Sequence, residues 1–144
     1  MKGMTIIVKS IADVVCGFIF LYGVYITLHG HLTPGGGFAG GCIIASSYIL
    51  LTLAHGRTEA SERISSVLSS VFESIGAVLF VTIALLGLVL ADMFFLNFLP
   101  TGKPFALASA GTIPLSNIAI GIKVSAALFS IFLALAAFKF IMEE

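Results

Sequence analysis

The chain has 144 residues, of which 59% are hydrophobic and 10% charged, and its seven basic and seven acidic side chains cancel at pH 7. A soluble domain carries roughly 25% charged residues, so this composition excludes a surface that faces water all round. It also excludes a nucleic-acid-binding protein, which needs a clustered excess of Lys and Arg. Composition therefore predicts an integral membrane protein in contact with the lipid bilayer.

Four segments are long and apolar enough to cross a hydrocarbon core of roughly 30 Å, which takes about 20 helical residues. They cover residues 5–28, 38–54, 70–95 and 117–140. The second is short, and we expect it to stand nearly upright or to extend into the glycines before it. The predicted fold is all-α: one membrane domain over residues 1–144 with four transmembrane helices.

The basic residues of the connections indicate the orientation, because Lys and Arg accumulate on the cytoplasmic side of short connections. One lies in the third connection, Lys103, and five lie at the termini or in the second connection: Lys2, Lys9, Arg57, Arg63 and Lys139. We therefore expect both termini in the cytoplasm and the chain in the cell membrane.

The first connection reads HGHLTPGGGFAGG, residues 29–41, with six glycines and two histidines. Gly35, Gly37 and Gly40 match the spacing of a dinucleotide-binding loop. Such a loop needs a strand before it and a βαβ unit around it, and four apolar helices supply neither. The pattern does not predict a nucleotide site.

The same stretch predicts a tight turn at the outer membrane face. Pro34 fixes its own φ and favours an extended residue before it, and Gly35, Gly36 and Gly37 permit dihedral angles closed to other residues. Small residues then recur at four-residue steps, at Gly37, Gly41 and Ala45. This spacing lets helix backbones approach closely in lipid, so we expect a turn that leads into a close-packing helix.

His29 and His31 raise the question of a metal site. Residues two apart point away from each other on a helix, and the topology places His55 at the opposite membrane face, so no metal site is predicted. Two alternatives stay open: the histidines hold the loop through hydrogen bonds, or one of them relays protons, since imidazole titrates near physiological pH.

The polar second connection predicts a helical start, with Thr58 as its cap and Glu59 and Glu62 in its first turn. The third connection, residues 97–116, carries three prolines that interrupt a continuous helix, among them Pro114. It is too apolar for a free loop, and we expect it to pack on neighbouring protein or to lie at the membrane surface.

Four ionisable residues fall inside the predicted spans, where a charge normally faces protein or water. Asp13 and Glu73 belong to the inner half, and Asp92 and Lys123 to the outer third, where their similar depths allow an ion pair between them. Each is a candidate for an ion path or a partner contact. The alternative is that each snorkels towards the nearest interface, which Lys123 does most easily.

Two stretches resemble the MnhB/MrpB family, a small membrane subunit of multi-subunit Na⁺/H⁺ antiporters of the Mrp type. The first is HGHLTPGGGFAGG, in which residues 34–38, from Pro34 to Phe38, are the most specific. The second is AGTIPLSNIAIGIKVSAALF, residues 110–129, where Pro114, Asn117 and Lys123 match. Related subunits occur in archaeal membrane-bound hydrogenases and a sulfur-reducing relative, and the histidine-containing start of the first stretch is closer to the hydrogenase type.

The resemblance implies a non-catalytic subunit without a cofactor, whose partners are the other membrane subunits of an antiporter or a hydrogenase-type complex. The alternative is a stand-alone small transporter or channel that forms homo-oligomers. A membrane-embedded enzyme ranks third, because no nucleophile with its base and no metal cluster is apparent.

Overall fold

The computed structural model describes residues 4–56, 66–107 and 109–142, and these contain four α-helices and no strand. The helices are α1 (Ile6–Leu28), α2 (Gly36–His55), α3 (Ser66–Ala91) and α4 (Ile113–Met142). Each contains a window long and apolar enough to cross a membrane. The predicted all-α fold with four membrane spans is confirmed. We call the end of the bundle that carries residues 29–35 and 92–112 the outer end.

Several helix boundaries differ from the predicted spans, α2 beginning at Gly36 and α3 at Ser66, and for two others the backbone gives the reason. The third helix ends at Ala91 and not at residue 95, because Asp92 adopts φ +57° and the chain turns back. The fourth begins at Ile113, four residues early, with Pro114 as its second residue. Proline is tolerated in the first turn, where its missing N–H would have no intrahelical partner. Pro114 therefore opens this helix instead of interrupting it.

The helices pack in the spatial order α1, α2, α4, α3. The two central helices, α2 and α4, lie side by side and run in the same direction; α1 packs mainly on α2, and α3 packs on α4. The main-chain N–H of Met4 also donates to the carbonyl oxygen of Ala54 at 2.9 Å, which joins the inner ends of α1 and α2. The expected helical start at Thr58, Glu59 and Glu62 lies outside the described residues.

Small side chains form the buried part of the bundle. Among the residues whose burial the structure describes, the buried apolar ones are six alanines and one phenylalanine: Ala12, Ala45, Ala54, Ala84, Ala119, Ala126 and Phe129. Large apolar side chains such as Phe18 and Val89 are exposed instead. A soluble protein shows the opposite distribution, whereas helices in lipid associate through small residues because lipid is as apolar as leucine. The exposed apolar surface faces lipid or other membrane helices.

The third connection folds back on the outer end of α3. The Phe95 N–H donates to the Ala84 carbonyl at 3.3 Å, and the rings of Phe80 and Phe95 lie 5.1 Å apart. Farther along, the Asn97 amide donates to the carbonyl of Ala110 at 3.1 Å, and its Oδ1 accepts from the N–H of Thr112 at 3.0 Å. Asn97 thus closes this connection into a loop held by its own polar contacts.

Candidate functional site

The glycine stretch makes the turn between α1 and α2. Helix α1 ends at Leu28, and the carbonyl of His29 accepts hydrogen bonds from the N–H groups of Leu32 and Thr33 at 2.8 and 2.9 Å. Gly35 then has φ +140° and Gly36 has φ +70°. Side chains are strained at positive φ, so glycine is the residue that fits both positions. The reversal at this end depends on these two residues.

The turn delivers Gly37 to the outer end of α4. The Gly37 N–H donates to Oδ1 of Asn117 at 3.3 Å. A Cβ built on Gly37 would overlap the main-chain carbonyl oxygen of Asn117. The cap residue Gly35 offers no side-chain acceptor to α2, so Asn117 on a neighbouring helix satisfies one of the N–H groups that a helix start leaves open.

Gly40 and Gly41 continue the close packing on two different sides of α2. A Cβ on Gly41 would lie 2.9 Å from the Gly121 carbonyl oxygen on α4, and one on Gly40 would lie 2.8 Å from the Gly23 carbonyl oxygen on α1. Thr27 fills the junction, because its side chain lies against both Gly40 and Gly121. The stripe that includes Gly37 and Gly41 therefore packs within this chain, against α4.

The two outer histidines hold loop segments in the structure. Nδ1 of His29 lies 3.1 Å from the carbonyl oxygen of Tyr25, and the two rings lie 4.1 Å apart. Nε2 of His31 lies 3.3 Å from the Ala106 carbonyl oxygen, so His31 ties the glycine turn to the third connection. Two buried polar atoms at this end, Nδ1 of His31 and Nδ2 of Asn117, have no partner among the described residues.

Lys123 pairs with Glu73 and not with Asp92. Nζ of Lys123 lies 3.4 Å from Oε1 of Glu73. The pair with Asp92 that the sequence allowed does not form, because of helix register: Gly76 packs against the backbone of Lys123, and Asp92 lies 16 residues farther out, about 24 Å along a helix. Asp92 is exposed just beyond α3, outside the span in which the sequence placed it.

The Lys123–Glu73 pair is only half enclosed by this chain. The exposed fractions of the two side chains are 46% and 38%. Lys123 lies ten residues into α4, about 15 Å from its start, near the middle of the apolar window Ile113–Ala136. An uncompensated lysine at the centre of a span costs roughly 3 kcal/mol on insertion scales. The ion pair with Glu73, together with the neighbours of its exposed side, offsets this cost.

Asp13 pairs with His55 near the inner end. Nε2 of His55 lies 2.8 Å from Oδ1 of Asp13, a distance typical of a charge-assisted hydrogen bond. The His55 side chain is 10% exposed and that of Asp13 is 47% exposed. Next to them, Cys16 donates through its thiol to the Ser47 carbonyl at 3.3 Å. The pair joins α1 to the last turn of α2.

An apolar groove of about 450 Å³ opens on one side of the bundle. All four helices contribute to it, through residues such as Phe20, Tyr48, Phe72 and Phe129. Its polar lining consists of hydroxyl groups and backbone, without a charged side chain. Hydrocarbon chains can therefore cover this groove without burying a charge.

Two contacts that hold the fold, those of His55 and Asn97, were not predicted from the sequence. His55 was considered only as a metal ligand, although the predicted topology put His55 and Asp13 at the same inner end of consecutive spans. Asn97 was not singled out. The signal for Asn97 was its place in an apolar connection rich in proline. In such a segment, which forms no regular helix or strand, a side-chain amide can make the hydrogen bonds that main-chain groups need.

Comparison with known proteins places the chain in a family. Residues 7–130 match the family described as a domain related to the MnhB subunit of Na⁺/H⁺ antiporters. The uncharacterized protein MJ1307 of Methanocaldococcus jannaschii is 32% identical over 146 residues, 97% of this chain and 55% of that protein. The putative antiporter subunit mnhB2 of Staphylococcus epidermidis is 41% identical over 54 residues, 38% of each chain.

A solved structure shares the fold. It is a chain of the membrane-bound sulfane sulfur reductase, an archaeal respiratory membrane complex, with a TM-score of 0.74 and 32% identity over 89% of this chain and 56% of that one. The chain thus spans about half the length of this relative and of the M. jannaschii protein. The protein is a multi-pass membrane protein whose described residues include four helices long and apolar enough to cross a membrane, and it belongs to the family of domains related to the MnhB subunit of Na⁺/H⁺ antiporters.

Proposed function

We propose that the chain is a non-catalytic transmembrane subunit of a multi-subunit, Mrp-type Na⁺/H⁺ antiporter module. The module is either a free antiporter or the sodium-translocating part of a membrane-bound hydrogenase-type or sulfur-reducing complex. The family match supports the first form. The likeness to a chain of an archaeal respiratory complex supports the second. The subunit would sit in the cell membrane with both termini in the cytoplasm.

One observation carries the proposal: the contact between Gly37 and Asn117. The two residues come from the two stretches that resemble the family, and they meet across α2 and α4 through a hydrogen bond of 3.3 Å. The register continues one turn farther in, where Gly41 meets Gly121. The motif therefore serves to build a compact helix pair, which is the task of a structural subunit.

The ionisable residues keep their candidate roles within this function. Lys123, Glu73 and Asp13 lie in the spans with part of each side chain exposed, where a partner subunit or an ion path can reach them. Asp92 lies at the outer end and is a candidate for contact with the same complex at its surface. A proton-relay role for the two outer histidines, His29 and His31, belongs to the same proposal.

Purification of the tagged full chain from its native membrane tests the proposal. We expect other membrane proteins to co-purify with it, including further subunits of an Mrp-type antiporter. We also expect the complex to show Na⁺-dependent proton movement in vesicles. A chain that migrates alone would contradict the proposal. A homo-oligomer that transports ions by itself in liposomes would instead establish the stand-alone transporter.

A further inference from the structure

We propose that the side of the bundle carrying Lys123 and Glu73 is the contact surface for a polar face of a different membrane-embedded subunit. That subunit would supply hydrogen-bond acceptors, carboxylate or carbonyl oxygens, to the Lys123 ammonium. The inference rests on the proposed function in one respect, since it takes the chain to be part of a complex of different subunits.

The two helices hold this pair at a fixed depth. A Cβ on Gly76 would lie 2.7 Å from the main-chain nitrogen of Lys123, so α3 and α4 are in direct backbone contact at this level. Below it, Ser69 donates to the Ala126 carbonyl at 2.9 Å and lies 2.8 Å from the Ser130 hydroxyl. Helices joined at both points cannot slide to carry the charges to an interface.

The pair is incompletely satisfied within the described part of the chain. An ammonium group has three N–H donors, and that of Lys123 makes one hydrogen bond there, to Glu73. Its length of 3.4 Å exceeds the usual range for a charge-assisted bond, about 2.7–2.9 Å. Both side chains are also partly exposed. Lys123 therefore has donors to offer outside this chain, at the middle of an apolar span.

Lipid does not supply acceptors at this depth, because only the headgroup regions are polar. The structure also argues against snorkelling, since Nζ of Lys123 reaches across to Glu73 on α3. The apolar groove differs from this surface in chemistry: it is lined by side chains such as Phe72 and Ile122 and carries no charge. Hydrocarbon suffices for the groove, whereas the charged surface needs polar neighbours, which the partner subunit would supply.

A charge-swap experiment tests the inference. The tagged full chain is purified from native membranes as wild type, as Lys123→Glu, as Glu73→Lys and as the double swap, and the co-purified subunits are quantified. Lys103→Glu reverses a charge in the exposed third connection and serves as the control. We expect each single reversal and the double swap to lose at least 10-fold of the co-purified partner, and the control to retain it.

The double swap distinguishes a pair that contacts a partner subunit from a pair that stabilises only this chain, because it rebuilds the pair within the chain with the charges exchanged. If partner recovery returned to the wild-type level, the pair would serve only the chain itself and the inference would be wrong. Wild-type recovery in the single reversals would also overturn it. A wild-type chain that brings no other subunit would overturn both this inference and the proposed function, whereas retained partners in every variant would overturn this inference alone.

Crosslinking tests the same surface without reversing a charge, so it applies even where the charge-reversed variants fail to accumulate. A photo-reactive diazirine amino acid is placed at Ala77, one turn from Glu73 on the same side of α3, or at Phe72 in the groove. We expect the probe at Ala77 to capture a different subunit and the probe at Phe72 to give less than a tenth of that product. Capture of a second copy of this chain at Ala77, or no capture of protein there, would contradict the inference.

Discussion

Asn117 of α4 caps the start of α2, because its Oδ1 accepts a hydrogen bond from the N–H of Gly37 at 3.3 Å. The contact links residues 80 positions apart, and the glycine has no side chain to hold the helices away from each other.

Gly37→Ala should destabilise the bundle, because its Cβ would overlap the Asn117 carbonyl oxygen and force α2 away from α4. Overpacking typically costs about 1–3 kcal/mol. Gly17→Ala is the matched control, since a Cβ at Gly17 has nothing within 4 Å. The thermal unfolding midpoint of each variant is measured by heating the fluorescently tagged full chain in mild detergent and then running size-exclusion chromatography. Equal midpoints for the two variants would show that the close approach is dispensable.

Asn117→Ala should lower the same midpoint by removing the acceptor of the Gly37 N–H, at a cost of about 1 kcal/mol, as for other lost helix caps. Asn117→Asp should keep most of the stability. An aspartate keeps the acceptor, a negative charge is favourable at a helix N-terminus, and the amide nitrogen that it replaces has no partner among the described residues. An aspartate variant as unstable as the alanine variant would contradict the capping role.

Asp13 and His55 should show energetic coupling in a double-mutant cycle. Asp13→Ala leaves His55 without its carboxylate at 2.8 Å, and His55→Ala leaves the carboxylate without its imidazole, so the double variant should lose less than the sum of the two. Coupling in direct contacts is about 0.5–3 kcal/mol. Denaturation of the full chain with SDS from mild-detergent micelles gives the three free-energy changes. Additive changes would mean that the contact contributes no stability.

The third connection should be accessible from outside the cell. Thr101→Cys lies in its exposed part, and a membrane-impermeant maleimide added to intact cells should label it, after Cys16 and Cys42 have been replaced by alanine. Arg57→Cys, in the second connection, should be labelled only after the membrane is permeabilised. The reverse labelling pattern would place both termini on the outer side and contradict the orientation derived from the basic residues.

The number of spans and the place of the turn follow from the local pattern of residues. Apolar runs of membrane-spanning length predict helices because every backbone hydrogen bond must be made internally in lipid. Pro34 and the three glycines after it predicted a tight turn, and the structure shows positive φ at Gly35 and Gly36. The small-residue stripe that contains Gly41 likewise predicted close packing, although its partner helix could not be derived from local spacing.

Which residues meet across the helices depends on how the helices pack. The sequence placed Asp92 and Lys123 at similar depths, but α3 ends before Asp92 and its backbone meets α4 at Gly76, so Lys123 faces Glu73. The register between helices depends on where backbones can approach most closely, and that is a property of two surfaces together. Each sequence segment specifies its own helix. Which charged residue lies beside Lys123 depends on how two helices pack against each other.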